Sequence, residues 1–150
     1  TMASGAVPRL YHSNALLLPD GRVLINGGGR FGGGAVDDKL NGEIYSPPYL
    51  FKGPRPAITS APNLVAYNAN FSVATPDASE IASVSLLPLG TVTHGLNTNQ
   101  RYLSLSFQPN GSGLDIQAPA NANIAPPGFY MLFILDANGV PSVGAILRLQ

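Results

Sequence analysis

Short apolar runs separated by turn-forming residues set the pattern of this chain. Leu16-Leu17-Leu18 and Val23-Leu24-Ile25 flank Pro19-Asp20-Gly21. Proline presets φ and glycine accepts a positive φ, so the stretch predicts a β-hairpin. Both runs are apolar nearly throughout, which predicts cover on both faces. Glu43-Ile44-Tyr45 is a short third strand. Pro47-Pro48 and Pro54-Arg55-Pro56 then bracket Tyr49-Leu50-Phe51. Proline removes backbone donors and stiffens the path, so this segment reads as a rigid connector. A boundary is placed at about residue 53, dividing 1–53 from 54–150.

Beyond the boundary, strand-sized runs follow at short intervals: 57–59, 64–66, 71–74, 81–87, 102–107, 114–116, 129–135 and 145–149. Several alternate apolar with polar, as Leu103-Ser104-Leu105-Ser106-Phe107 does, and period two marks a strand with one buried face. Turn chemistry stands at the breaks: Pro76-Asp77, Asn110-Gly111, Pro126-Pro127-Gly128 and Asn138-Gly139. Short strands without a helical period predict an all-β fold, an immunoglobulin-like β-sandwich. With no Cys pair and no Trp it is not an antibody-type domain. Tyr130, after Pro127-Gly128-Phe129, is a candidate tyrosine corner.

Composition agrees with that class. Of 150 residues, 17 are glycine and 14 proline, 45% are hydrophobic and only 11% are charged. Disorder needs the opposite balance. The net charge is zero and the basic residues are scattered, which argues against nucleic acid. No apolar run approaches the roughly 18–20 residues of a membrane span. Cysteine is absent, excluding disulfides, thiolate ligands and a cysteine nucleophile. Gly27-Gly28-Gly29 and Gly32-Gly33-Gly34 look like a phosphate cradle, but no Gly-Lys-Ser/Thr follows and Ala35-Val36-Asp37-Asp38 shows no helical period. Glycines where a strand meets close backbone neighbours are the better account.

The chemistry concentrates in two places. Arg9-Leu10-Tyr11-His12-Ser13 puts a phenol beside an imidazole, and the only other histidine is His94. On a regular strand Tyr11 and His12 would point to opposite faces, so aiming at one point requires an irregular strand start. His94 lies in a loop joining two sandwich strands, where such scaffolds place binding residues. Gln100 and Arg101 are expected to brace this loop through backbone carbonyls. Taken singly, Tyr11 and His12 read more readily as ordinary strand-end residues, and His94 as a buried histidine bonded to backbone. If the three meet, two imidazoles and a phenolate favour copper or zinc over magnesium or calcium. Their ring nitrogens should then face a common point, about 3–4 Å apart, as bonds near 2 Å to one metal require.

Taken in order, these stretches resemble the copper radical oxidases, galactose oxidase and glyoxal oxidase. The resemblance rests on Arg9-Leu10-Tyr11-His12-Ser13, Leu16-Leu17-Leu18-Pro19-Asp20-Gly21-Arg22-Val23, Gly27-Gly28-Gly29, Tyr45-Ser46-Pro47-Pro48-Tyr49-Leu50, Val92-Thr93-His94 with Gln100-Arg101, Pro127-Gly128-Phe129-Tyr130-Met131-Leu132-Phe133 and Gly139-Val140-Pro141-Ser142-Val143. It covers the C-terminal part of such an enzyme. It implies that residues 1–53 are a partial kelch-propeller blade with its connector, and that an upstream propeller of the same protein is the partner of the sandwich at 54–150. It implies that His12 and His94 are copper ligands, and that Tyr11 is the axial tyrosine and general base. The implied reaction is oxidation of a primary alcohol, aldehyde or sugar by O2 with release of hydrogen peroxide, in an extracellular enzyme. The family's Tyr–Cys radical cofactor has no counterpart in a chain without cysteine. The chain alone is therefore expected to be inactive, with copper expected in the full-length enzyme. Apolar surface on a lone hairpin would favour a homodimer of the fragment. A contrasting reading is a non-catalytic module, structural or carbohydrate-binding, with Tyr49, Tyr67 and Tyr102 as candidate sugar contacts.

Overall fold

A computed structural model describes residues 3–29 and 38–150. The second glycine triplet, Gly32-Gly33-Gly34, and Ala35-Val36-Asp37 after it lie outside the described residues. Among the described residues there are thirteen strands, two single-turn 3-10 helices and no α-helix.

The N-terminal hairpin forms where the turn chemistry puts it. Strands β1 (Ser13–Leu17) and β2 (Val23–Gly27) pair antiparallel, and β3 (Gly42–Tyr45) adds to β2. At the turn Gly21 has φ 80°, and its N–H donates to Leu18 O at 2.9 Å. Asp20 takes the backbone N–H and the guanidinium of Arg22 at 3.0 and 2.7 Å.

The rest of the chain builds a sandwich from β4 (Leu64–Val65), β5 (Asn70–Ala74), β6 (Ile81–Pro88), β7 (Val92–Thr93), β8 (Leu96–Asn97), β9 (Leu103–Leu105), β10 (Phe107–Pro109), β11 (Gly113–Gln117), β12 (Gly128–Asp136) and β13 (Ala145–Leu149). One sheet runs β4-β13-β12-β6-β9, a second runs β10-β11-β5, and β7 and β8 form a separate two-stranded ribbon. Val73, Leu114 and Ile116 of the small sheet share one core with Val84, Leu86, Tyr130, Leu132, Ile134 and Leu147 of the large one. The run at 102–107 is not one strand. It breaks at Ser106, and its halves β9 and β10 belong to different sheets, a corner common to sandwiches. Residues 57–59 are not a strand either. Prolines at 54, 56 and 62 remove donors that a ladder needs, leaving Thr59 N–H to Ala74 O and a bridge at Ser60.

Strand β12 is apolar from Phe129 through Leu135, and its residues 130–134 are buried on both faces. Tyr130, Leu132 and Ile134 enter the sandwich core, whereas Met131 and Phe133, equally buried, lie outside it. Met131 shares a crevice with Leu16 and Leu17, and Phe133 shares one with Leu17 and Tyr49. The hairpin sheet thus lies on the outer face of the five-stranded sheet. Side chains of that size contribute roughly 1.5–3 kcal/mol each when buried. Cover on both faces, predicted for the hairpin itself, is incomplete. The leucines of β1 and β2 are only partly buried and Ile44 is 52% exposed, since the described structure packs the sandwich against one side only.

Arg55 fastens hairpin to sandwich. Its guanidinium donates to Asp20 O at 2.7 Å, Pro141 O at 2.8 Å and Ser142 O at 2.6 Å. Gly144 N–H donates to Pro19 O at 2.7 Å, and Tyr49 Oη donates to Gly21 O at 2.5 Å. Tyr130 forms the expected corner, its hydroxyl donating to Pro126 O at 2.6 Å.

Candidate metal centre

Tyr11 and His12 occupy a turn before β1, closed by Ser13 N–H donating to Leu10 O at 3.1 Å. His12 has φ 64°, in the left-handed region. That conformation undoes the alternation of an extended chain. The two rings fall on one side and stack, with centroids 4.0 Å apart and planes at 27°.

The first glycine triplet makes room for this turn. Gly27 has φ 71°, and a Cβ there would collide with the His12 carbonyl oxygen. Gly28 has φ 90°, and its Cβ would stand 3.2 Å from Arg9 Cα. Arg9 holds the same turn from behind, with only 4% of its side chain exposed. It donates to Gly27 O at 2.9 Å, Asn41 Oδ1 at 2.6 Å and Glu43 Oε2 at 3.4 Å. Glu43 also takes Ala6 N–H at 2.7 Å, and this bond, with smaller help from Val7 and Arg9, lowers its pKa below the ordinary carboxylate value.

His94 comes from the β7-β8 ribbon. Thr93 pairs with Leu96, and the two residues between them have φ 54° and 75°, as a type I′ hairpin turn requires. Glycine at 95 tolerates that angle and histidine is among the residues that visit it. The loop is braced chiefly by the neighbours of Gln100 and Arg101, beside a bond from Gln100 N–H to Asn97 O at 3.3 Å. Asn97 Oδ1 takes the N–H groups of Thr91 and Asn99, each at 3.2 Å, and Asn99 Nδ2 donates to Thr91 Oγ1 at 2.8 Å. Gly90 lets the ribbon settle on β1, since a Cβ there would meet Leu16 Cδ1 at 2.5 Å.

The result brings His94 to the strand-start turn. The His12 and His94 centroids are 4.4 Å apart with planes at 82°, and Tyr11 is 5.7 Å from His94. All three side chains are on the surface, Tyr11 being 54% exposed. Among the described residues no three His, Cys, Asp or Glu side chains cluster as a metal site. The donors gathered here are two imidazoles and a phenol, a set that fits copper or zinc. Thr93 Oγ1 lies 2.7 Å from His94 Nδ1, which leaves Nε2 as that ring's free nitrogen. Of the tyrosines considered as sugar contacts, Tyr49 and Tyr67 spend their hydroxyls on the backbone oxygens of Gly21 and Ala125, and Tyr102 is 62% exposed.

Sequence reasoning missed Arg9, Arg55 and Thr93. An arginine two residues before the Tyr-His pair in a chain so poor in charge is a signal for the first. The other two act through contacts distant in sequence or through one rotamer.

The profile of the galactose oxidase-like, early set domain family matches residues 55–149. A galactose oxidase of Gibberella zeae is 37% identical over 95% of this chain, and an aldehyde oxidase of Vitis pseudoreticulata is 36% identical over 99% of it. A solved fungal alcohol oxidase in complex with copper superposes on 99% of the chain with a TM-score of 0.87 at 33% identity. The chain spans only 22%, 31% and 32% of the lengths of these three proteins.

Proposed function

We propose, on the premise that the chain belongs to the galactose oxidase-like, early set domain family, that it is the C-terminal part of a copper-dependent oxidase. Such an enzyme would oxidise a primary alcohol or aldehyde with O2 and release hydrogen peroxide, outside the cell. Residues 1–53 would contribute Tyr11 and His12 from the last part of a propeller, and residues 54–150 the sandwich that delivers His94. The observation in support is the convergence of these three rings, at 4.0 and 4.4 Å from His12, on one exposed spot.

Copper held there would supply a Lewis acid and a one-electron redox partner. His12 and His94 would hold it through neutral imidazole nitrogens. Tyr11 Oη would accept the hydroxyl proton of the substrate, which requires the substrate oxygen within hydrogen-bond reach of that atom. Tyr11 is 54% exposed, and no hydrogen bond within the described residues engages its hydroxyl. Removing the hydrogen and the electrons calls for a further group, the Tyr–Cys cofactor that the resemblance implies, and no cysteine here can supply it.

Peroxide formation tests this reading. The chain incubated with Cu(II), O2 and primary alcohols should release none. A longer form carrying the upstream propeller should release it, and Tyr11→Phe should lower kcat there by about 10²–10⁴-fold, the usual weight of a general base. Peroxide from the 150-residue chain alone, or an unchanged kcat in the Phe variant, would overturn the assignment.

A further inference from the structure

The ribbon that carries His94 also carries the group that addresses its second ring nitrogen. Thr93 Oγ1 stands 2.7 Å from His94 Nδ1. We propose that Thr93 is a positioning residue: its hydroxyl accepts the Nδ1–H of His94 and so fixes the tautomer that presents a lone pair at Nε2. The inference rests on the reading of His94 as a metal ligand and adds what prepares it for that role.

A neutral imidazole has one N–H and one lone pair, and the hydrogen bond at one nitrogen decides which role the other plays. Metal-binding histidines recurrently spend the distal N–H on an oxygen acceptor, which orients the ring and raises its basicity. Here that acceptor comes from the adjacent residue, an arrangement that the left-handed His94 permits. Threonine suits the task better than serine, since its β-branch restricts χ1. Its backbone is pinned by pairing with Leu96, and the ribbon by Thr98 N–H donating to Thr91 O at 3.0 Å.

Long-range ¹H–¹⁵N NMR of the metal-free chain, at a pH about two units above the ordinary imidazole pKa near 6.5, reads the tautomer directly. His94 should show a protonated Nδ1 and an unprotonated Nε2. Thr93→Val, which keeps the shape and loses the hydroxyl, should shift the population toward the Nε2–H form, and Thr93→Ser should largely restore the original one. Circular dichroism identical to that of the parent shows that the Val variant folds. Cu(II) affinity, titrated with the metal alone, should fall by about tenfold or more in the Val variant and recover in the Ser variant. A parent His94 protonated at Nε2, or a Val variant unchanged in both tautomer and affinity, would overturn the role of Thr93 while leaving the metal reading intact. The expected tautomer in a chain that takes up no Cu(II) would instead overturn the metal reading.

Discussion

His12 and His94 share a backbone conformation as well as a location. Both are left-handed, with φ 64° and 54°, and their rings stand 4.4 Å apart at 82°. Among the described residues Asn68 is the only other non-glycine with positive φ. Each such residue costs of order 1–3 kcal/mol, and strain of this kind gathers at functional sites. In both places it turns an imidazole out of line with the strand beside it.

Gly27 should be the most sensitive glycine near the site. Gly27→Ala meets two penalties, a positive φ and a collision with the His12 carbonyl. Gly111→Ala meets only the first, having φ 83° and open space around it. Chemical denaturation should show a loss of about 1 kcal/mol for Gly111→Ala and clearly more for Gly27→Ala. Equal losses would show that the close approach is unimportant.

Arg9 should matter to both stability and site order. Arg9→Met strands Gly27 O, Asn41 Oδ1 and Glu43 Oε2. A destabilisation of about 2–3 kcal/mol is expected from urea midpoints. Backbone amides at 9–13 should also exchange faster, whereas a surface arginine would leave both unchanged.

Acid should loosen the same segment. Glu43, Asp20 and Asp115 all have lowered pKa values: the first mainly through Ala6 N–H, the second through Arg22, the third through Ser72 Oγ. A depressed carboxylate adds stability above its unfolded pKa and loses it as pH falls through the folded one. Thermal midpoints should therefore be flat near neutrality and fall below about pH 4. Glu43→Gln should flatten part of that fall; an unaltered acid limb would exclude Glu43 as a contributor.

Arg55 should hold the hairpin against the sandwich without holding the sandwich together. Hydrogen exchange on Arg55→Met should reveal lost protection in β1 and β2, with β6 and β12 keeping theirs. Uniform loss across both sheets would mean that the two fold as one cooperative unit.

Much of this architecture is legible in the sequence. Pro19-Asp20-Gly21 announces the hairpin because its φ demands are local, and Tyr130 announces its corner through the Pro-Gly before it. The split at Ser106 is hidden, since alternation continues unbroken while the strand changes sheets. The His94-Gly95 turn is hidden for a related reason: Asn-Gly is the familiar signal for such a hairpin, and histidine occupies the position here. The irregular strand start at Tyr11-His12 follows from the need to bring both rings to one side. Arg9 and Arg55 read as scattered charges until the chain folds, because their acceptors lie on residues remote in sequence: Gly27 O, Asn41 Oδ1 and Glu43 Oε2 for the first, backbone oxygens alone for the second.

The meeting of the two imidazoles is tested most directly by Cu(II) added to the chain and followed by electron paramagnetic resonance. The expected spectrum carries nitrogen splitting from two imidazoles, reduced to one in His12→Ala and in His94→Ala. A spectrum identical in the parent and both variants would place the copper elsewhere and contradict the site.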